Sequence, residues 1–573
     1  MTTPGGLLLV LAVLVPFIGV LAGLVLGGRH AQSVALVILL PGLGLAIAIA
    51  DALGRSGDTL VYLLGGWVAP LGVALRADGL AAVMLVITAV VICGIAVYAL
   101  ADFRTPPGVG EARAPLVFWM LLLAVWGSLN LVFVSGDLFT LYVALELLTF
   151  AAVPLVCLDG RGETLRAALR YLLFALLGSM LYLLGVVLLY GAYGTLDIPL
   201  LATRVRPESI AWAAAALMTT GLLAKTALFP LHLWLPPAHA GAPAAASAVL
   251  SALVVKGSFF LVVRLWFDVM PGVVTLPSAQ LLATLGAGAI LFGSVVALRQ
   301  ERLKLLIAYS TLAQIGYLFL MFPLAFDAGS AQLERGDALT GGLLQAISHA
   351  TAKAAMFMAA GLIYAALGHD RIAELRGIGR ALPMSVLAFA LGGVALMGLP
   401  PSGAYLAKKL LLDAAAETGQ WWWDLVMQAG GFFTTSYVLL VLAHALWPAD
   451  GPVNLRAPVP RLQEAAALAL ALCSMLLGLA AIGPVPLDTL SLAPEELWSA
   501  ILLVLGGGVL ALGLGYRLPP GPVDHVVAIM SPVRTGAVAV AGAIERADDV
   551  LRRWPVAGLF LLVLVIGFLA AML

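Results

Sequence analysis

The sequence predicts an all-α polytopic membrane protein of about 14–16 transmembrane helices, each needing about 20 apolar residues to cross a bilayer. Three observations predict it. First, 62% of the 573 residues are hydrophobic and 10% are charged, with a mean hydropathy of +1.08; a soluble chain carries roughly a quarter of its residues charged. Second, bilayer-length apolar runs recur from end to end, at roughly 5–28, 31–51, 79–101, 115–134, 138–158, 166–191, 208–229, 243–267, 276–298, 303–325, 339–367, 382–412, 426–448, 463–483, 497–516 and 555–573. Third, the basic residues are sorted by side. The connections after odd-numbered runs hold nineteen, among them Arg161, Arg166, Arg170, Arg299, Arg302, Lys304, Arg371, Arg376, Arg380, Arg546, Arg552 and Arg553. The even ones hold five: Arg55, Arg76, Arg204, Arg206 and Arg335. The positive-inside rule makes the odd connections cytoplasmic and both termini exoplasmic.

Taken in order, residues 1–110 form N-terminal transmembrane helices with an exoplasmic hairpin. The first run lacks a basic leader and a cleavage site, so it is expected to be a retained helix. The hairpin is predicted within Thr59–Ile87, where Gly65, Gly66, Pro70 and Gly72 punctuate alternating apolar residues and Arg76 is expected to pair with Asp78. Residues 111–450 form the core. Its fifth run starts at Asp137, a helix cap, and places Glu146 in mid-span among apolar neighbours, with Tyr142 and Thr149 near its face. A carboxylate at that depth must face a partner or water. Lys225 is the expected partner, either in a structural ion pair or in a switch that sets the lysine's protonation.

The stretch 222–266 is the most informative. It holds Lys225 and Lys256 deep in apolar runs, separated by Pro230, Pro236, Pro237 and Pro243, with His232 and His239 interleaved. Proline removes a backbone donor and clashes with the preceding turn, so the seventh run breaks near Phe229–Pro230. Freed backbone groups survive in a membrane only against protein or a water-filled cavity. A broken helix bearing buried ionisable groups therefore reads as an ion path. His232 and His239 are open between tying off freed backbone and passing protons, and His444 between relay and packing.

Lysine usage supports the same reading. Of thirty basic residues six are Lys, and all but Lys304, read as a cytoplasmic anchor, lie in apolar runs: Lys225, Lys256, Lys353, Lys408 and Lys409. An ammonium loses its proton on burial more readily than a guanidinium does. For Lys409, near the end of its run, and for Lys353, reaching back to the interface is the alternative. Cys93, Cys157 and Cys473 are isolated, and no zinc, iron–sulfur, haem or nucleotide-binding motif occurs. No cofactor, metal site, nucleic-acid partner or catalytic chemistry of its own is expected. Residues 451–573 supply C-terminal helices, with an amphipathic segment within 518–553 expected to lie along the membrane face, interrupted at Pro532.

Five motifs resemble, in order, the antiporter-like membrane subunits shared by respiratory complex I and the Mrp multisubunit cation/proton antiporters. They are YLLGGWVAPLGVALRADGL (62–80), LLAKTALFPLHLWLPPAHAGAPAAASAVLSALVVKG (222–257), LKLLIAYSTLAQIGYLFL (303–320), ISHATAKAAMFMAAG (347–361) and GLPPSGAYLAKKLLL (398–412). The resemblance implies two inverted five-helix repeats, spans 4–8 and 9–13, with broken helices 7 and 12. It places the proton-translocating residues on Glu146, Lys225, Lys256, His349, Lys353 and Lys408, with Lys409 the alternative to Lys408. Gln314 and Gln345 stand where some members carry histidine. The implied function is proton translocation as the D-type member of a multisubunit Mrp Na+/H+ antiporter, whose partners are other membrane subunits, lipid, protons, and sodium or potassium. The alternatives are a redox-driven complex I-like or membrane-bound hydrogenase subunit, and a scaffold that has lost transport.

Overall fold

The structure, a computed structural model, describes residues 2–106, 108–109, 112–327, 332–449, 451–479, 494–514 and 531–573. Among these, 13 helices are long and apolar enough to cross a membrane, which makes the chain a multi-pass, almost wholly helical membrane protein. Three of the sixteen predicted runs fall outside that set for physical reasons. The run 208–229 stops early, at Thr226, and carries Lys225. The run 382–412 is two short helices, Pro383–Leu396 and Gly403–Glu417. The run 497–516 lies in Pro494–Leu514, where 498–511 is a shorter apolar stretch.

The chain divides into two compact units. The first comprises Met1–Ala227, Gly241–Leu281 and Leu559–Leu573; the second comprises Leu228–Ala240 and Leu282–Gly558. In the first unit the predicted hairpin is present, with Leu60–Leu63 antiparallel to Ala74–Ala77 and Leu60 opposite Ala77. Arg76 does not pair with Asp78. Asp78 caps the helix Gly79–Asp102 by accepting the Ala81 amide, and that fixes its carboxylate toward Arg264 at 2.5 Å. Arg76 turns instead to Asp197, at 3.6 Å. Asp137 does cap its helix, accepting the Phe139 and Thr140 amides at 2.9 Å.

Two glycine crossings set the helix spacing. In the first unit, a Cβ on Gly178 would stand 2.6 Å from the Gly221 carbonyl oxygen, and one on Gly221 would stand 2.3 Å from that of Gly178. The helices Gly162–Tyr193 and Ser209–Thr226 therefore meet backbone to backbone, as small residues permit in membranes. In the second unit Gly286 and Gly316 make the same kind of approach.

The C-terminal amphipathic segment is a helix, Ser531–Leu551. Pro532 occupies its second position, where the missing amide costs no hydrogen bond, so it begins this helix rather than interrupting it. The remainder of that predicted segment, up to residue 530, lies outside the described residues.

Candidate functional site

The first unit gathers Glu146, Lys225, Thr149 and Ser179. The helix Ser209–Thr226 ends where Ala227 takes a left-handed conformation, φ +59°, three residues ahead of Pro230. That puts Lys225 in the last helical turn, among carbonyls without intrahelical partners, whose partial negative charge favours an ammonium. The lysine side chain is 6% exposed and that of Glu146 13% exposed. Its Nζ donates to Glu146 Oε1 at 3.1 Å, to Thr149 Oγ1 at 3.0 Å and to Ser179 Oγ at 2.5 Å. An ammonium has three protons, and all three are used. Thr149 Oγ1 in turn donates to the Leu145 carbonyl at 2.8 Å, and Ser179 Oγ to Ala175 at 3.1 Å.

Lys256 lies in the same unit, buried in the continuous span Ala244–Val269. A π-helical turn, Leu250–Val254, immediately precedes it. Its Nζ reaches back to the Ser251 carbonyl at 2.6 Å. Such turns loosen the regular ladder and leave carbonyls accessible to side chains.

The second unit holds His349, Lys353, Lys408, His232, His239 and His444. His349 and Lys353 are one turn apart on Asp337–Leu367 and both are fully buried. Lys353 Nζ donates to Ser310 Oγ and lies 3.4 Å from the Ile307 carbonyl. Gln345 donates to Gln314 at 3.0 Å, and Gln314 to Thr434 Oγ1 at 3.1 Å, so amides link the two positions where some resembling chains carry histidine.

The second break runs from Leu396 to Gly403. Gly398 there adopts φ +74°, which a side chain would resist, and Ser402 caps the following helix by accepting the Tyr405 amide at 3.1 Å. Lys408, in the second turn of that helix, donates to Gln428 Oε1 at 2.8 Å. A cavity of about 480 Å³ lies beside it, lined by Lys408, Lys409, Asp413, Tyr405 and Gln428 among others.

The histidines behave differently from one another. His232 hydrogen-bonds a carboxylate rather than freed backbone: its Nε2 is 2.9 Å from Asp548 Oδ1. His239 stacks on Phe357 with ring centres 4.8 Å apart. His444 Nδ1 is 2.8 Å from the Leu440 carbonyl of its own helix. Lys304, expected as an anchor, is buried, its ammonium 5.5 Å from the Tyr364 ring centre. Among the described residues no three His, Cys, Asp or Glu side chains converge as metal ligands do.

Sequence reading did not single out Ser179, Ser310, Gln428, Tyr309 or Asp548. For Asp548 a signal existed. With Ala541, Ile544 and Leu551 it falls at the i, i+3, i+7, i+10 positions of one helical face, a carboxylate in an otherwise apolar stripe.

These features define a class: a multi-pass membrane protein whose helices break mid-course, with buried ionisable groups at and between the breaks. The chain belongs to the NADH:quinone oxidoreductase/Mrp antiporter transmembrane family, whose model matches residues 135–434. It is 35% identical to the N subunit of the NADH-quinone oxidoreductase of Desulforudis audaxviator, over 68% of this chain and 74% of that one. It is 29% identical to the D-type subunit of the Na(+)/H(+) antiporter of Alkalihalophilus pseudofirmus, over 71% of this chain and 80% of that one. Its fold matches a chain of the membrane-bound sulfane sulfur reductase, an archaeal respiratory membrane complex, with a TM-score of 0.73 and 26% identity, covering 91% of this chain and 99% of that chain.

Proposed function

We propose that this chain is the D-type, proton-translocating member of a multisubunit monovalent cation/proton antiporter. The observation that carries the reading is the Glu146–Lys225 pair: a nearly buried ammonium at the end of a broken helix, held by one carboxylate and two hydroxyls. Such a group loads or releases a proton when its carboxylate moves closer or away, because the neighbouring charge is the main force opposing desolvation. Lys256, His349, Lys353 and Lys408 extend the path, with Gln314 and Gln345 as amide links. His232, His239, His444 and Lys409 are secondary members.

The 35% identity to the N subunit of a quinone oxidoreductase favours a second reading, in which redox chemistry in other subunits drives the same groups. One experiment separates the two. Sodium- or potassium-driven proton movement is measured in vesicles from cells expressing the whole complex, comparing wild type with Glu146→Ala and Lys225→Ala at matched protein levels. Exchange without a redox donor, lost in both variants, supports the antiporter. Exchange only on adding a donor supports the redox-driven machine. Variants that match wild type remove Glu146 and Lys225 from the path.

A further inference from the structure

The second unit carries a buried polar network centred on a carboxylate that the path above does not use. Asp548, on the helix Ser531–Leu551, has a side chain only 3% exposed. It receives three groups from different elements. His232 Nε2, on the segment between the Lys225 helix and Lys256, is 2.9 Å from Oδ1. Tyr309, on the helix Leu303–Leu324, donates its hydroxyl to Oδ2 at 2.5 Å. Arg552 places Nε 2.7 Å from the same oxygen and also bonds Asp549 at 2.9 Å. Burial works against the carboxylate, but the His232 hydrogen bond, the His232 and Arg552 charges and the Tyr309 hydroxyl outweigh it and hold Asp548 below the usual carboxylate range.

The two ends of this network face different surroundings. Asp548, Tyr309 and Arg552 line a cavity of about 960 Å³, whose wall also holds Glu545, Asp549 and Arg299. Arg299 lies 3.4 Å from Glu545, and Arg546 lines the wall as well. His232 does not line the cavity. It is fully buried against the rings of Phe229 and Phe292, centres 5.8 and 5.6 Å away. Its Nδ1 makes no hydrogen bond to any described residue. Leaving a buried ring nitrogen unpaired is costly, and such a nitrogen calls for an explanation beyond packing. A mere tether would need only the Nε2 contact.

We propose that Asp548 and His232 form a proton-uptake site, taking protons from the cavity on the arginine-rich face and delivering them into the chain's interior. The inference rests on the proton-translocation reading. A hydronium in the cavity gives its proton to the Asp548 carboxylate, leaving water. The acid meets a neutral His232 whose unprotonated ring nitrogen faces it and passes that nitrogen the proton, which restores the carboxylate and leaves an imidazolium. The imidazolium then releases the proton from Nδ1, the nitrogen that Asp548 does not hold, and the neutral ring turns to present its bare nitrogen to the next acid. Arg552 and Tyr309 position the carboxylate and keep it ionised between transfers, while Glu545 and Asp549 are paired with Arg299 and Arg552 in the cavity wall. Asp548 and Arg552 lie outside the matched span 135–434 while His232 and Tyr309 lie inside it, so the site joins this chain's C-terminal helix to the matched core.

The test is exchange rate against pH on the arginine-rich side, in vesicles carrying the whole complex, with rates normalised to complex present. Asp548→Asn and His232→Gln are expected to slow exchange at least tenfold and flatten the pH profile, with Asp548→Glu recovering most of the rate. Arg552→Gln keeps the carboxylate but removes its cation, so the carboxyl holds its proton to higher pH and the profile shifts upward. Should Asp548→Asn reduce assembly, Asp548→Glu and Arg552→Gln still read the profile. Wild-type rate and profile per complex in Asp548→Asn and Arg552→Gln would overturn the proposal and leave a structural tether. Lys225→Ala runs alongside: if it abolishes exchange while Asp548→Asn does not, only the uptake site fails. If Lys225→Ala also exchanges normally, the proton-translocation reading fails with it.

Discussion

Lys225 and Lys408 both flank a broken helix, yet they are held in opposite ways. Lys225 closes its helix, in the last turn before Ala227, with the helix C-terminal carbonyls and the Glu146 carboxylate both favouring positive charge. Lys408 stands in the second turn of a helix that begins at Gly403, and its hydrogen-bond partner is the neutral Gln428. One ammonium is held by a charge and two hydroxyls. The other meets an amide dipole at the wall of a cavity. Placing a lysine at a break is therefore not enough to fix its surroundings, because one break sets the ammonium against a carboxylate and the other against an amide.

The largest expected effect tests the locked side. Glu146→Ala leaves a buried ammonium without its counter-charge, a change that costs about 3–5 kcal/mol where buried pairs have been broken. Thermal unfolding of the purified complex should show this chain destabilised, with proton exchange lost. The double variant Glu146→Ala/Lys225→Ala should recover much of the stability and none of the exchange. If the double variant is no more stable than Glu146→Ala, the pair is not coupled and the contrast with Lys408 collapses.

Gln428→Ala is the matching cut on the open side. It removes a neutral acceptor from an ammonium that has cavity space beside it, so solvent can replace the bond. The expected cost is about 1–3 kcal/mol or less, the range for losing one hydrogen-bond partner of a charged group. Exchange should slow severalfold without stopping, read in the same vesicle assay. A complete loss would place Gln428 in the path itself.

The sequence made some of this contrast legible and hid the rest. Glu146, Lys225 and Lys408 stand out because a lone charge in an apolar run is expensive and needs a reason. The two breaks were announced by Pro230 and by the GLPPSG segment. The partners were not announced. Ser179, Ser310 and Gln428 are ordinary polar residues whose importance comes only from the helix that faces them. Asp548 is 316 residues from His232, a separation no local pattern bridges. Arg76 and Asp78 show the converse error. Nearness in sequence suggested a pair, but capping of Gly79–Asp102 fixed Asp78 toward Arg264.

Helix spacing offers a smaller lever on the locked side. Gly221→Ala puts a methyl group 2.3 Å from the Gly178 carbonyl oxygen, on a helix crossing that also brings Ser179 to Lys225. Forcing the crossing apart should cost about 1–3 kcal/mol, as overpacking does, and lengthen the Lys225–Ser179 contact. The equivalent change Gly316→Ala, in the second unit, should cost a similar amount of stability. Exchange should fall more in Gly221→Ala than in Gly316→Ala, because Ser179 adjoins Gly178 at the first crossing, whereas Ser310, the partner of Lys353, is six residues from Gly316 at the second. Equal losses would mean that general packing, not the position of Ser179, controls the rate.

The smallest expected effect is the most discriminating. Ala227 is the described non-glycine residue with positive φ, two positions after Lys225. An L side chain pays about 1–2 kcal/mol to hold that conformation, and strain of this kind persists only where surrounding structure imposes it. Ala227→Gly removes the penalty in the folded chain but adds freedom to the unfolded one, so the net change in stability should be under about 1 kcal/mol. Its effect on exchange separates two roles for the break. If the left-handed turn merely ends the helix, Ala227→Gly exchanges at the wild-type rate. If the strain holds the Lys225 turn against Glu146, relaxing it should loosen the 3.1 Å contact and shift the pH dependence of exchange, with no counterpart when Gly398, already a glycine at φ +74°, ends the approach to Lys408.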